Sequence, residues 1–162
     1  MNRWLVESVI LPLHERAMGR PTFRAYRESI EARSLSADEF HALRTDKLRR
    51  LLIHARETTA FYRARFDEAG VDPRGDDPWS ALRALPALTR DEVREHGEAM
   101  RSNAAGPLTV GSTSGSSGEP LRYAIGRRRA AFDKACRYRA WRDWGIRIGD
   151  RKAWLWGVTA PR

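Results

Sequence analysis

In roughly the first hundred residues, apolar side chains recur at helical spacing between charged ones, which predicts a mainly helical region. The predicted helices cover residues 2–17, 22–32, 36–58, 61–69 and 89–100. We expect Pro12 to bend or break the first helix, because proline lacks the N–H that a helix interior needs. Two later helices begin at capping boxes, Ser36 to Glu39 and Thr89 to Glu92, whose side-chain oxygens accept hydrogen bonds from end-of-helix N–H groups.

The longest predicted helix begins after Ser36 and ends near Thr58. Its broad apolar face consists of Phe40, Leu43, Leu48, Leu51, Leu52 and Ala55. The helix that follows ends at Gly70, and residues 76–80 are predicted to form a loop. Next to this loop, a small hydrophobic anchor is formed by Trp79, Leu82 and Leu85. The helical region is therefore predicted over residues 1–105.

After residue 105 the pattern changes to short apolar runs that are typical of strands. Strands are predicted at 108–110, 121–125 and 153–156, with a helix from 126 to 144 before the last. This order predicts an α/β fold that begins within residues 106–162, with the whole chain in one domain. Two or three strands do not form a well-covered sheet by themselves, so we expect the chain to be the beginning of a larger domain.

The two middle strands flank a run rich in glycine and hydroxyl groups. Residues 108–123 read LTVGSTSGSSGEPLRY, and the candidate loop is 111–120. Glycine allows several backbone N–H groups to converge on an anion, and Ser and Thr add short donors. The predicted phosphate-binding residues are Thr113, Ser114, Gly115, Ser116, Ser117 and Gly118. A flexible linker is the alternative, but the run is short, lies between strands and is stiffened by Pro120.

The loop does not match the commoner nucleotide signatures. Gly111 and Gly115 are too close for a Walker A motif, and no Gly-Lys-Ser/Thr follows them. The glycines also lack the Gly-x-Gly-x-x-Gly spacing of a dinucleotide-binding fold. The loop is therefore neither a Walker A motif nor a dinucleotide-binding motif.

The chain of 162 residues carries a formal net charge of +9, almost entirely from arginine. The arginines are dispersed, and only residues 127–129 form a cluster, which favours a solvated surface over nucleic-acid binding.

A single cysteine, Cys136, excludes an intrachain disulfide and favours a reducing compartment. The histidines at 14, 41, 54 and 96 lack metal-ligand spacing, so no metal site is predicted. The apolar patch from Val9 to Leu13 is too short to span a bilayer and is not followed by a cleavage site, so we expect a cytoplasmic protein.

The loop resembles the phosphate loop of adenylate-forming enzymes, with Glu119 at the position where that family usually has lysine. More of the chain is similar to the phenylacetate–CoA ligase family. The matching residues are Lys47-Leu48, Leu51-Leu52, His54-Ala55, Phe61-Tyr62-Arg63, Phe66, Ala69-Gly70, Leu85 to Thr89, Trp144-Gly145, Gly149-Asp150 and Trp156-Gly157. The opening Leu11 to Arg16, with Gly19-Arg20, is similar to the branch of capsular polysaccharide biosynthesis proteins.

The resemblance implies ATP-dependent activation of a small-molecule carboxylate, with Mg²⁺ as cofactor and coenzyme A as one candidate acceptor. It places Trp156 in a segment that lines the acyl pocket, although Trp154 and Trp156 fit strand core residues at least as well. His54 is expected to pack or cap a helix, and Cys136 to lie inert in the core. The family's remaining nucleotide contacts, metal-binding acid and lysine come later in the chain, so no catalytic residue is predicted here and the chain alone is expected to be inactive. The resemblance also allows a homodimer of the full-length protein.

Two other classes of function stay open. A basic nucleic-acid-binding protein would use Arg127 to Arg129, but the aromatic residues fall mostly on apolar faces rather than between the arginines. A short, non-enzymatic relative that kept the loop is the third hypothesis. The length of the native product separates it from the ligase.

Overall fold

The computed structural model describes residues 2–113, 120–151 and 153. The chain divides into two compact units, which we call the terminal unit (Met1–Ile30 with Ala131–Arg162) and the central unit (Glu31–Ala130). The described residues are rich in helix and contain one two-stranded antiparallel sheet, which is compatible with the predicted α/β class. None of the helices in this part of the chain is long and apolar enough to cross a membrane.

The terminal unit begins with a continuous helical segment of three parts: α1 (Arg3–Leu5), a π-helical stretch (Val6–Ile10) and α2 (Leu11–Ala17). The helix is therefore not broken at Pro12. The N–H of Leu11 donates to the carbonyl of Val6, five residues back, which is the hydrogen bond of a π-helix. The wider π-helical turn comes just before Pro12, whose nitrogen carries no hydrogen to donate. The chain stays helical on both sides of Pro12.

Helices α3 (Thr22–Glu31) and α8 (Arg127–Asp143) complete the described helices of the terminal unit, and both were predicted. The ring of Tyr138 on α8 lies 6.3 Å from Phe23 and 6.4 Å from Tyr26, measured between ring centroids. Ala131, Ala135 and Tyr138 are buried, as expected for positions spaced by one and two helical turns. Cys136, beside them, is half-buried and free.

A buried carboxylate, which the sequence did not indicate, lies at the centre of the terminal unit. The side chain of Glu15 is 1% exposed and accepts hydrogen bonds from Lys134 Nζ at 2.7 Å and from the hydroxyl of Thr22. Arg20 lies 3.8 Å away. Burial raises the pKa of Glu15, but the hydrogen bonds from Lys134 and Thr22 and the nearby positive charges outweigh it, so the pKa lies below its usual value.

The central unit is built on α4 (Ala37–Thr58), α5 (Ala60–Glu68) and α6 (Pro78–Ala84). Its core consists of Leu52, Phe66 and Ala81, with Leu48, Tyr62, Val71 and Leu85 packed around them. The predicted apolar face of α4 is only partly used, since Phe40 is 44% and Leu51 61% exposed. Helix α5 ends at Glu68 with Ala69 as its C-cap, and Gly70, which the sequence predicted to stop the helix, follows with φ at +63°.

Helix α6 corrects the sequence interpretation, which assigned residues 76–80 to a loop. Asp77 caps the helix, because its carboxylate accepts from the N–H of Trp79 at 2.9 Å, and Pro78 occupies the first turn. Helix α7 (Arg90–His96) begins at the predicted capping box of Thr89 and Glu92. It ends at His96 rather than Met100, and the chain continues through turns at Gly97 and Glu98.

Candidate functional site

The predicted loop connects the two strands of an antiparallel hairpin, β1 (Leu108–Ser112) and β2 (Arg122–Gly126). The strands are paired in register from Leu108 with Gly126 to Ser112 with Arg122. Just beyond the last pair, the N–H of Thr113 donates to the carbonyl of Leu121 at 3.0 Å, and the N–H of Leu121 donates to Thr113 Oγ1 at 3.0 Å. The two ends of the loop are therefore held together by both the backbone and the side chain of Thr113.

Of the predicted phosphate-binding residues, only Thr113 belongs to the described part of the chain. Ser114, Gly115, Ser116, Ser117 and Gly118 lie outside the described residues, and so do Glu119 and Trp156. The Thr113 hydroxyl oxygen accepts from Leu121, and no described residue accepts the hydroxyl hydrogen. The described geometry therefore shows that Thr113 closes the ends of the loop.

Gly111 allows an aromatic ring to lie close to β1 at the base of the loop. A Cβ at this position would lie 2.8 Å from Tyr123 Cε2 and 3.0 Å from Ile125 Cδ1. Both distances are shorter than ordinary van der Waals contacts, so any other residue would displace the ring. The sequence indicated Gly111 only as part of a glycine-rich run, and its partner is Tyr123, which is paired with it across the hairpin.

A groove of about 730 Å³ lies between the hairpin and the segment that begins with α7. Apolar side chains from both sides line it, namely Val93, Met100, Leu108, Val110, Leu121 and Tyr123. Its charged residues include Arg94, Glu98, Arg101 and Arg122. Glu98 pairs with Arg101 at 2.8 Å, and Arg94 lies 3.3 Å from Asp91. The groove thus combines an apolar floor with charged residues.

Arg122 differs from the other arginines of the groove. It is exposed, occupies the first position of β2 and makes no hydrogen bond or ion pair with any residue that the structure describes. Its partner in the strand register is Ser112, next to the residue that closes the loop. Among the described residues, the charge of this guanidinium therefore has no carboxylate partner. The sequence interpretation missed Arg122, although its position directly after the Pro-Leu exit of the loop could have indicated it.

The groove is anchored to the helical core through Arg65. This arginine is 8% exposed and donates to Glu92 at 2.6 Å and to the carbonyl of Pro86 at 2.6 Å. Its guanidinium also lies 5.2 Å from the ring centroid of Phe61. Because Glu92 is part of the capping box of α7, one arginine on α5 fixes the start of the helix that leads to the groove.

The segment after α7 is also tied to the junction of α4 and α5 by two backbone hydrogen bonds. The N–H of Phe61 donates to the carbonyl of Ala99 at 3.1 Å, and the N–H of Asn103 donates to the carbonyl of Thr58 at 2.8 Å. His54 is exposed and lies 3.3 Å from the Thr58 hydroxyl near the end of α4, which fits the expected role at a helix end. No group of three His, Cys, Asp or Glu side chains that could hold a metal occurs within residues 2–113 and 120–151.

The ion pair between Arg65 and Glu92 is sensitive to acid. Hydrogen bonds from the N–H and hydroxyl of Thr89, followed by Arg65, lower the pKa of Glu92 from 4.5 to about 2. A carboxylate whose pKa is lowered by folding stabilises the fold at any pH above its pKa in the unfolded state. This stabilisation is lost as the pH falls through its pKa in the folded state. We therefore expect the melting temperature of the wild type to approach that of Glu92→Gln between pH 4.5 and about 2.

Melting curves measured by circular dichroism from pH 6 down to 2 would test this expectation. Glu95→Gln is the matched control, because Glu95 lies on the same helix, is 75% exposed and lies 3.9 Å from the imidazole of His96. A difference between wild type and Glu92→Gln that stays constant over the whole pH range would contradict the assignment.

Part of the chain is similar to two curated proteins that share one name. No protein-family profile matches the chain. The phenylacetate-coenzyme A ligase of Escherichia coli is 41% identical over 61 residues, which are 38% of this chain and 14% of that ligase. The enzyme of the same name from Thermus thermophilus is 35% identical over 66 residues, which are 41% of this chain and 15% of that ligase. The matches support a relationship to phenylacetate–CoA ligases, and the aligned part of the chain spans well under a fifth of either enzyme.

Proposed function

We propose that the chain is the N-terminal part of an ATP-dependent ligase that converts a small carboxylate into an acyl-adenylate. The hairpin that holds the ends of the Ser- and Gly-rich loop through Thr113 and Leu121 carries this proposal. The partial similarity to two phenylacetate-coenzyme A ligases supports the same reaction class. Within that class, the motif at Leu11 to Arg16 favours the branch of capsular polysaccharide biosynthesis proteins.

In the proposed reaction, a carboxylate oxygen attacks the α-phosphorus of ATP, and the bond from this phosphorus to the bridging oxygen breaks. Pyrophosphate leaves with the electron pair of that bond. A thiol such as coenzyme A then attacks the acyl carbon and displaces AMP. Negative charge shifts onto the β- and γ-phosphates during the first step, so donors fixed around these groups lower its barrier.

The loop would supply these donors. The hydroxyls of Thr113, Ser114, Ser116 and Ser117 would donate to the β- and γ-phosphate oxygens, together with backbone N–H groups at Gly115 and Gly118. No described residue accepts the hydroxyl hydrogen of Thr113, since Leu121 bonds only its oxygen, which supports this role. Mg²⁺ would share the charge of the phosphates.

We further propose that Arg122 supplies the positive charge that Glu119 cannot. In related loops a lysine occupies the position of Glu119. Arg122 stands three residues later, opposite Ser112, and its guanidinium has no partner among the described residues. It would bind a phosphate oxygen through charge-assisted hydrogen bonds.

The remaining assignments belong to the same proposal. Residues 1–105 would form the helical region of the large domain and residues 106–162 the start of its ATP-binding core. Trp156 would form an aromatic wall of the acyl pocket. The adenine and ribose contacts, the metal-binding acid and the catalytic lysine would come from later sequence, so the 162 residues alone would not complete the reaction. A cytoplasmic location and a homodimer of the full-length enzyme fit this chemistry.

The first measurement is the intact mass of the polypeptide made from its native gene. A mass well above 18.5 kDa would support the ligase, and carboxylates should then be screened by ATP–pyrophosphate exchange. A mass of 18.5 kDa would favour the short, non-enzymatic relative. Binding to nonspecific DNA that weakens with salt would instead support the nucleic-acid hypothesis.

In the native-length enzyme, Ser114→Ala combined with Ser116→Ala is expected to slow ATP–pyrophosphate exchange about 100-fold, since each lost oxyanion donor weakens transition-state stabilisation. Arg122→Ala is expected to slow it about tenfold, and Arg122→Lys should recover part of the loss. Ser34→Ala is the control, because it removes an exposed hydroxyl that bonds only the carbonyl of Glu31. Exchange at the wild-type rate in the double variant would remove the loop from the mechanism.

A further inference from the structure

A second pocket of the central unit shares no residue with the hairpin groove. It has a volume of about 400 Å³ and lies at the surface where α4 faces α6. Its lining consists of His41, Arg44, Asp77, Trp79 and Arg83. The proposed ligase chemistry uses none of these side chains.

Aromatic rings fix the guanidinium of Arg44 in this pocket. It lies 5.0 Å from the ring centroid of Trp79 and 5.9 Å from that of Phe40. The indole of Trp79 is itself held, because its Nε1 donates to Thr45 Oγ1 at 2.9 Å and His41 stacks on the ring with centroids 6.2 Å apart. A guanidinium stacked on rings keeps its N–H donors in the plane for other acceptors.

No described residue uses those donors, since the guanidinium of Arg44 makes no hydrogen bond or ion pair within the described part of the chain. Two arginines on the same helix behave differently. Arg49 donates to the carbonyls of Gly75 and Asp76, and Arg50 pairs with Asp46 at 2.8 Å. Arg44 is thus oriented by its neighbours without being neutralised by them.

The other charges of the pocket leave it positive. Asp77 accepts hydrogen bonds from the N–H of Trp79 and the hydroxyl of Ser80, and it lies 3.6 Å from Arg83. Arg83 also donates to Ser80 Oγ at 3.0 Å. The pocket lining therefore contains two guanidinium groups and only one carboxylate, which already accepts hydrogen bonds.

We propose that this pocket binds the phosphate group of a small phosphorylated molecule. Arg44 would bind two phosphate oxygens with its planar fork, while Arg83 and His41 would reach the others. A tetrahedral phosphate accepts hydrogen bonds from several directions, whereas a planar carboxylate is filled by one fork. The volume of about 400 Å³ exceeds that of a phosphate group, which leaves space for an organic substituent beside Trp79.

Titration of the ¹⁵N-labelled chain with inorganic phosphate, at constant ionic strength, tests the proposal. We expect saturable shifts of the Trp79 indole N–H signal and the Arg44 Nε–H signal. Arg44→Ala should weaken binding at least about tenfold, as expected for the loss of hydrogen bonds to a charged group. Arg83→Ala should weaken it as well and leaves the stacking of Arg44 on Trp79 in place, so it tests the pocket even if Arg44→Ala fails to fold.

Arg50→Ala is the matched control, because it removes an exposed arginine of the same helix that already has a carboxylate partner. Its affinity for phosphate should equal that of the wild type. Acetate and chloride serve as competing anions and should bind more weakly than phosphate. Shifts that do not saturate, equal binding of acetate, or unchanged affinity in Arg83→Ala would each overturn the proposal.

Discussion

Phe66→Ala is expected to destabilise the central unit by about 3–5 kcal/mol, the usual cost of replacing a buried phenylalanine by alanine. The side chain of Phe66 is fully buried and packs against Leu52 and Ala81 in the middle of the core. Removing it takes away the burial of an aromatic ring and leaves a cavity where α4, α5 and α6 meet. Urea unfolding followed by circular dichroism would measure the loss.

The matched control is Leu51→Ala, next to Leu52 on α4. Leu51 belongs to the face that the sequence predicted to be apolar, but it is 61% exposed. Its replacement should change the stability by no more than about 0.5 kcal/mol. If Leu51→Ala cost as much as Phe66→Ala, the core would be located wrongly.

The core and the candidate site are coupled through neighbouring residues. Arg65, which anchors the capping box of α7, directly precedes Phe66 on α5. Phe66→Ala should therefore loosen the groove as well as the core, and hydrogen exchange at Val93 and Met100 would report it. The position of the hairpin groove thus depends on packing between helices that carry none of the predicted site residues.

The sequence predicted features whose causes lie within a few residues of each other. Both capping boxes and the strands flanking the loop were found in this way, because hydroxyl, carboxylate and alternating apolar positions act locally. Helix α6 was missed although its signal was local too: Asp77 followed by Pro78 is a helix start, and the sequence interpretation gave it to a loop.

Contacts between distant residues could not be predicted. Arg65 and Glu92 are 27 positions apart, and Glu15 and Lys134 are 119 apart, so no spacing rule connects them. The same holds for the part of the candidate site that goes beyond the loop motif. Residue types predicted a phosphate loop, but the closure of Thr113 on Leu121 and the position of Arg122 opposite Ser112 depend on the register of the hairpin.

Lys134→Met is expected to destabilise the terminal unit by about 2–3 kcal/mol at neutral pH. Removing one partner of a buried ion pair leaves an uncompensated charge and usually costs about 3–5 kcal/mol. The loss should be smaller here, because Lys134 is 34% exposed and Thr22 and Arg20 stay close to the carboxylate of Glu15. Thermal and urea unfolding would measure it. Lys47→Met is the control, since Lys47 has no hydrogen-bond or ion-pair partner among the described residues.

The pH dependence distinguishes a buried charge from lost packing. In the wild type, folding lowers the pKa of Glu15 below 4.5. Its contribution to stability is therefore present above pH 4.5 and is lost as the pH falls through its pKa in the folded state. In Lys134→Met, burial still raises the pKa while the largest opposing hydrogen bond is gone, and the carboxyl group protonates at a higher pH. The difference in stability between wild type and variant should therefore shrink as the pH falls below neutral.

Adding Glu15→Gln to Lys134→Met should recover part of the stability at neutral pH, because a neutral amide replaces the unpaired charge. A penalty that is equal at every pH, with no recovery in the double variant, would mean that Lys134 acts through its packing and that the charge of Glu15 is stabilised by its other neighbours.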